Sequence, residues 1–301
     1  HGETVGALSV TDIPLFKRIY EPLLRNSVQV PTPDARLAEA GESDEAFAMR
    51  CADALEAHLV EHANTTAAFI IEPLVQGAAG MAMYHPVYLT RARALCDQFN
   101  VHLIADEIAV GFGRTGTMFA CEQAPPLSLA GAGIKTVRPD FICLSKGITG
   151  GYLPLSAVLT TDTVYDAFYG DATAKGFLHS HSYTGNPLAC RAALAVLDIF
   201  ESDGIIAANR EKSLDFTKLM AEVAAHPRVS HFRHQGMIWA FEVADAAQGF
   251  ATRFHQAALT QGVFVRPIGS TVYVMPPYVV TAEDMRGLVA SLLVCLNSPG
   301  I

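Results

Sequence analysis

The sequence has 301 residues, half of them hydrophobic and 17% charged, with a formal net charge of −9. That apolar share excludes wholesale disorder. The acidic residues are scattered and no basic footprint offsets them, so neither nucleic acid nor an anionic membrane is an expected partner. No apolar run approaches the roughly 18 residues that span a bilayer; the best candidate, Leu288 to Leu296, is interrupted by Ser291.

No basic-then-apolar leader precedes the first motif. The six cysteines form no Cys-x-x-Cys and sit mostly in apolar stretches such as Phe141-Ile-Cys143-Leu. This usage suits reduced thiols in a cytoplasmic protein rather than a zinc site or a disulfide framework. The chain opens on His1-Gly2-Glu3-Thr4 with no Met, which reads as the remainder of a longer polypeptide.

In chain order, Pro31-Thr-Pro-Asp34 followed by Glu39, Glu42, Asp44 and Glu45 reads as a polar surface loop entering a helix. From about residue 67 short apolar runs alternate with longer amphipathic ones. Ala67–Ile71 is a buried strand bounded by Glu72-Pro73, and Val87, Leu89, Ala92, Leu95 and Phe99 recur at helical spacing after Pro86. Val101–Ala105, Phe141–Leu144 and Leu155–Leu159 are the next strands. Strand, helix, strand at this spacing predicts an α/β fold with a mostly parallel sheet flanked by helices.

An Ala/Leu-rich helix follows Asn186-Pro187, runs to about Phe200 and ends at Asp203-Gly204. The pattern then changes: a helix over 207–224, a strand from Val229 to Val243, a helix from Gln248 to Gln261, two strands around Gly269-Ser270, and a last helix from Thr281. A large domain over 1–204 and a smaller C-terminal α+β domain over 205–301 are expected.

Gly111-Phe-Gly113-Arg-Thr-Gly116 fits the dinucleotide fingerprint G-x-G-x-x-G and follows a strand. Asp106 and Glu107, at that strand's end, would repel a pyrophosphate. The run to Cys121-Glu-Gln-Ala-Pro125-Pro126 also leaves little room for the helix that should receive it. A dinucleotide site is not expected.

Asp106 and Lys146 each follow a predicted strand, and ligands of open parallel sheets gather beyond those ends. An amine that can condense with an aldehyde, beside a carboxylate that can hold a pyridine nitrogen protonated, suits pyridoxal phosphate chemistry. Taken singly, the two are also ordinary as a solvated lysine and a turn acceptor.

Ala105-Asp106-Glu107-Ile108, Gly111-Phe-Gly-Arg114-Thr-Gly116, Leu144-Ser145-Lys146-Gly147 and Gly150-Gly151-Tyr-Leu-Pro154 stand in one order, with Ile71-Glu72-Pro73 upstream and Ser182-Tyr183-Thr-Gly185-Asn186-Pro187 downstream. In this the chain resembles, over nearly its whole length, the class III, fold type I pyridoxal phosphate aminotransferases. Met81-x-Met83-Tyr84-His85-Pro86 and Val265-Arg266-Pro267 with Tyr273-x-Met275-Pro276-Pro277-Tyr278 resemble the family's biotin-pathway branch.

The resemblance implies pyridoxal 5'-phosphate as cofactor and a homodimer with shared active sites. It implies amino transfer from S-adenosylmethionine, or lysine, to the keto-acid 8-amino-7-oxononanoate. Alternatives are another ω-amino-acid transaminase, of 4-aminobutyrate or ornithine type, and a non-catalytic binding protein on the same fold. It implies that Lys146 is the cofactor-bound lysine and proton shuttle and that Asp106 partners the pyridine nitrogen. His181 and Ser182 would reach the cofactor phosphate of the neighbouring subunit, and Ser180, Arg266, Tyr273, Glu72 and Arg114 would line the substrate cleft. Ser182 could instead cap the following helix, and Arg114 could only brace its loop. His179-x-His181 lacks a third metal ligand. Relative to the family pattern, a Gly- and Ala-rich stretch from about Pro126 to Val137 is inserted and reads as a surface loop. The family's ring-stacking aromatic and Gly-Ser phosphate pair would precede His1.

Overall fold

The structure is a computed structural model of the 301-residue chain. It describes residues 1–129 and 133–301, with only the backbone of 127–129 and 133–135. Its central sheet has four strands in sequence order: β1 (Ala68–Ile71), β2 (His102–Asp106), β3 (Phe141–Leu144) and β4 (Ala157–Thr160). β1 and β3 both run parallel to β2, while β4 is antiparallel to β3.

Helix α1 (Asp44–His62) begins where the Ser43 side chain accepts from the Ala46 amide, with Asp44 and Glu45 in the first turn. Helix α2 (Val87–Phe99) starts after Pro86 and ends at Asn100, whose left-handed φ of 54° turns the chain into β2. The apolar faces of both helices, among them Leu55, Leu59, Tyr88, Leu89 and Leu95, bury against Ile71 and Leu103 of the sheet. Arg93, on α2, is almost fully buried and holds Asp140 just before β3; the same Asp140 oxygen accepts the Leu103 amide at 2.7 Å. One carboxylate thus sets β2 and β3 in register.

Helix α3 (Pro187–Ser202) is capped by Asn186 and is followed by α4 (Ile205–Leu219). Beyond lie β5 (Val229–Gln235), β6 (Ile238–Val243), α5 (Phe250–Thr260), β7 (Thr271–Val274) and α6 (Ala282–Asn297). The three strands form an antiparallel sheet of order β7-β6-β5. Its core, centred on Trp239, Phe241, Phe254 and Leu292, is fully buried. β6 alternates, as a strand must: Ile238 and Ala240 join the α1–α2 core, while Trp239 and Phe241 face the C-terminal helices.

Several sequence expectations are corrected. Val229 to Val243 is a hairpin rather than one strand, because Gly236 adopts a left-handed φ of 57°. Only one strand forms at Gly269-Ser270; Ile268 makes a single bridge to Thr271. The Pro31 to Asp34 stretch is not merely a polar surface loop, since Asp34 is buried and ion-paired to Arg36. In the Pro126 to Val137 stretch, Leu127–Leu129 pairs with Gly133–Lys135 as an antiparallel hairpin, and Val137 is buried; residues 130–132 lie outside the described residues. The six cysteines are free, four of them buried and Cys190 exposed. Among the described residues no helix is long and apolar enough to cross a membrane.

Candidate active site

Strand register assembles the site. Ile71 lies beside Ala105, so Glu72 leaves β1 next to Asp106. Asp106 in turn lies beside Cys143, and Lys146 follows three residues on. Glu72, Asp106 and Lys146 therefore stand together at the carboxyl ends of three parallel strands, where open α/β sheets place ligands.

Asp106 is 4% exposed. One of its oxygens accepts the Ile108 amide at 3.1 Å. Lys146 is the first residue of a short 3-10 turn and has a left-handed φ of 46°, a strained conformation for a side-chain-bearing residue at a cleft. It keeps a path to solvent yet is set down among the strand ends: burial lowers its pKa, while Glu72, Asp106 and Glu3 pull it back up. Glu72 shows the opposite shift. Burial and the nearby Asp106 raise its pKa, against the Gly77 amide that donates to its Oε2 at 2.7 Å. Its carbonyl accepts the Tyr84 hydroxyl at 2.8 Å.

Glu107, read from sequence as a second carboxylate at the strand end, turns away from this group. It is fully buried and accepts the Ala120 and Cys121 amides at 2.9 and 2.8 Å. Two glycines of the G-x-G-x-x-G turn serve packing: a Cβ on Gly111 would lie 2.7 Å from the Glu107 carbonyl, and one on Gly113 2.9 Å from Ile206. The Gly236 turn packs directly onto the Arg114-Thr115 backbone, with the Met237 amide on the Arg114 carbonyl at 2.8 Å. No dinucleotide-receiving helix follows the motif, only a 3-10 turn over Ala120–Gln123.

Arg114 donates to the Pro276 carbonyl at 2.7 Å and stacks over the Tyr278 ring at 4.4 Å. Burial lowers its pKa. It braces the segment that carries Met275 to Tyr278. That segment, with Arg266 and Tyr273, lines a cavity of about 370 Å³. Arg266 is exposed and Tyr273 half-buried there. The Tyr278 hydroxyl, donating to the Phe112 carbonyl at 2.6 Å, connects this wall to the turn that packs on Gly147.

Ser180, His181 and Ser182 are not brought to this cleft by hydrogen bonding. They lie on an exposed loop whose bonds are internal: the His181 amide to Thr184 Oγ1 and the Tyr183 amide to His181 Nδ1. Asn186, not Ser182, caps α3. What sequence reasoning missed is the support around Glu72, namely the Gly77 amide and Tyr84; Glu72 fixed by backbone five residues on has no motif of its own.

The family profile described as aminotransferase class-III matches residues 1–296. The chain is 43% identical to the adenosylmethionine-8-amino-7-oxononanoate aminotransferase of Helicobacter pylori, over 99% of this chain and 65% of that protein. It is 41% identical to the protein of the same name from Geobacter sulfurreducens, over 97% and 64%. The chain thus spans somewhat under two thirds of the length of these relatives. The crystal structure of the Methanocaldococcus jannaschii protein of that name superposes with a TM-score of 0.86 at 33% identity, covering 98% of this chain and 65% of that one. An omega transaminase from Pseudomonas jessenii in complex with PMP gives 0.86 at 28% identity, with 98% and 65% covered. With these matches and the strand-end lysine and carboxylates in place, the chain belongs to the class-III aminotransferases and carries their fold type I architecture.

Proposed function

We propose that the protein is a pyridoxal phosphate-dependent aminotransferase that converts 8-amino-7-oxononanoate to 7,8-diaminononanoate in biotin biosynthesis, with S-adenosylmethionine as the amino donor. What supports it most is the set Glu72, Asp106 and Lys146 at adjacent strand ends in a chain 43% identical to a relative of that name. The residues fit the cofactor. Asp106 is a carboxylate only 4% exposed, at the strand end beside the one that leads to Lys146, where it could hold a protonated pyridine nitrogen. When bound, pyridoxal phosphate supplies an aldehyde for amines and an electron sink for the bond broken at the donor's α-carbon.

The residues then divide the work. Asp106 pairs with the ring nitrogen. Lys146, whose pKa burial lowers, places its Nζ at the strand ends, where it can hold the cofactor and move a proton. Arg266, exposed in the cavity wall beside Tyr273, offers a planar guanidinium to the acceptor carboxylate. Glu72 and Arg114 border the cleft; Ser180, on its exposed loop, is assigned to the substrate by the family resemblance. His181 and Ser182, on their exposed loop, reach the phosphate site of a second copy. A homodimer is supported by the apolar side chains this chain leaves open, including Leu15, Ile19, Tyr152 and Leu178. Free, mostly buried thiols support a cytoplasmic setting. A domain boundary near Gly204, where α3 gives way to α4, is part of the same reading.

A second reading, an ω-amino-acid transaminase of 4-aminobutyrate or ornithine type, draws on the same fold, which an omega transaminase shares at 28% identity. Adding pyridoxal phosphate to the protein should produce a visible absorbance band, and borohydride should fix the cofactor to the Lys146 peptide. Lys146→Ala should show neither. A protein with no such band, or one labelled at another lysine, would overturn the assignment.

A further inference from the structure

The loop after β1 is an unusual piece of backbone. Leu74, Gly80 and Met81 all have left-handed φ, of 64°, 79° and 52°. Such residues persist only where surroundings over-determine them. Here three successive carbonyls accept from two arginines far away in sequence. Arg36 donates to the Ala79 carbonyl at 3.0 Å, and Arg233 donates to Gly80 and Met81, the latter at 2.9 Å. Both guanidiniums are held in turn. Asp34 takes Arg36 in a two-toothed pair at 2.6 to 3.0 Å, and Glu242 of β6 accepts from Arg36 and lies 3.9 Å from Arg233. The four side chains are 6 to 22% exposed.

The clamped loop leads to the cleft. The Gly80 and Met81 amides bond to the Gly77 carbonyl at 3.1 and 3.0 Å, and the Gly77 amide holds Glu72 Oε2. One carboxylate oxygen is thereby fixed to backbone, and the charge of Glu72 reaches Lys146.

We propose that Arg36 and Arg233 are positioning residues for Glu72: by clamping the 77–81 backbone they fix its carboxylate at the strand ends that carry Asp106 and lead to Lys146, and so govern the reactivity of that amine. The inference rests on Lys146 being the reactive amine of the proposed transamination. Lys146 is faced by Glu72 from β1, Asp106 from β2, and Glu3 from the N-terminal segment. Of these only Glu72 is carried by the clamp. A direct field effect has the opposite sign: removing a nearby cation would raise the lysine's pKa, whereas releasing Glu72 lowers it.

The test is the pH profile of Lys146 labelling by an amine-reactive reagent in the cofactor-free protein, read by peptide mapping. Glu72→Gln should lower the midpoint by about one pH unit, the scale of a lost neighbouring charge. Arg233→Met should lower it in the same direction, Arg233→Lys should restore it in part, and Arg233→Met should add nothing in the Glu72→Gln background. If Arg233→Met does not fold, Arg36→Met is read the same way. A midpoint that stays, rises, or falls equally without Glu72 would overturn the clamp. Because no substrate is used, a shift seen in a protein that transfers no amino group would leave the clamp standing and remove only the functional reading.

Discussion

Gly147 lies so close to Phe112 that a Cβ on the glycine would stand 2.8 Å from the Phe112 Cβ and 3.0 Å from its ring. The residue after the candidate cofactor lysine is thus pressed onto the G-x-G-x-x-G turn, and that turn carries the Tyr278 bond to the Met275–Tyr278 segment. Gly147→Ala must push Lys146 or Phe112 aside, an overpacking cost of about 1–3 kcal/mol. Thermal unfolding should drop accordingly, and pyridoxal phosphate affinity should weaken on the order of tenfold. Phe112→Leu in the same chain should recover part of both.

Glu107 gives a pH dependence with a definite sign. Burial raises its pKa to about 7, even though the Cys121 and Ala120 amides favour the charged form. In the unfolded chain a glutamate titrates near roughly 4.3. Between those values the folded protein binds more protons, so this group's contribution to stability is present at low pH, falls as pH rises toward 7, and is flat above it. Urea unfolding at pH 5 and pH 8 should show the protein losing about 2–3 kcal/mol more than Glu107→Gln does across that interval. Parallel curves for the two proteins would contradict the assignment.

Arg266 separates substrate from cofactor. A charge-assisted pair with the acceptor carboxylate contributes about 1.5–3 kcal/mol. Arg266→Ala should therefore raise the acceptor's KM on the order of tenfold to a hundredfold while the cofactor's absorbance survives. Arg266→Lys should recover only part, because a point charge cannot make the two-toothed contact. Loss of the cofactor with KM unchanged would move Arg266 out of the substrate wall.

Leu15 and Ile19 are each 82% exposed and Tyr152 is 88% exposed, apolar side chains that a second copy could cover. Sedimentation should find a dimer at micromolar concentration, and Ile19→Glu or Tyr152→Glu should shift it toward monomer. A stable wild-type monomer would leave Ser182 without a phosphate to serve.

Much of this was legible in the sequence for physical reasons. β3 and α2 announce themselves by a short apolar run and by 3.6-residue spacing, and once two strands are known to be parallel, Asp106 and Lys146 must share an end. What stayed hidden depends on long-range contact. The β5–β6 hairpin turns at Gly236, after the polar Arg233-His234-Gln235, and the glycine's φ of 57° is a property of the turn. Glu107 looks like Asp106 in sequence, and only the 3-10 turn at Ala120 tells them apart. Asp34 sits in a polar, Pro-rich stretch, and its burial follows from Arg36 reaching Glu242, about two hundred residues on.

The central claim is tested most directly by a panel of donors and acceptors with the cofactor-loaded protein. S-adenosylmethionine or lysine with 8-amino-7-oxononanoate should yield 7,8-diaminononanoate, and Lys146→Ala should abolish the product. Transfer from 4-aminobutyrate or ornithine with none to 8-amino-7-oxononanoate would contradict the account.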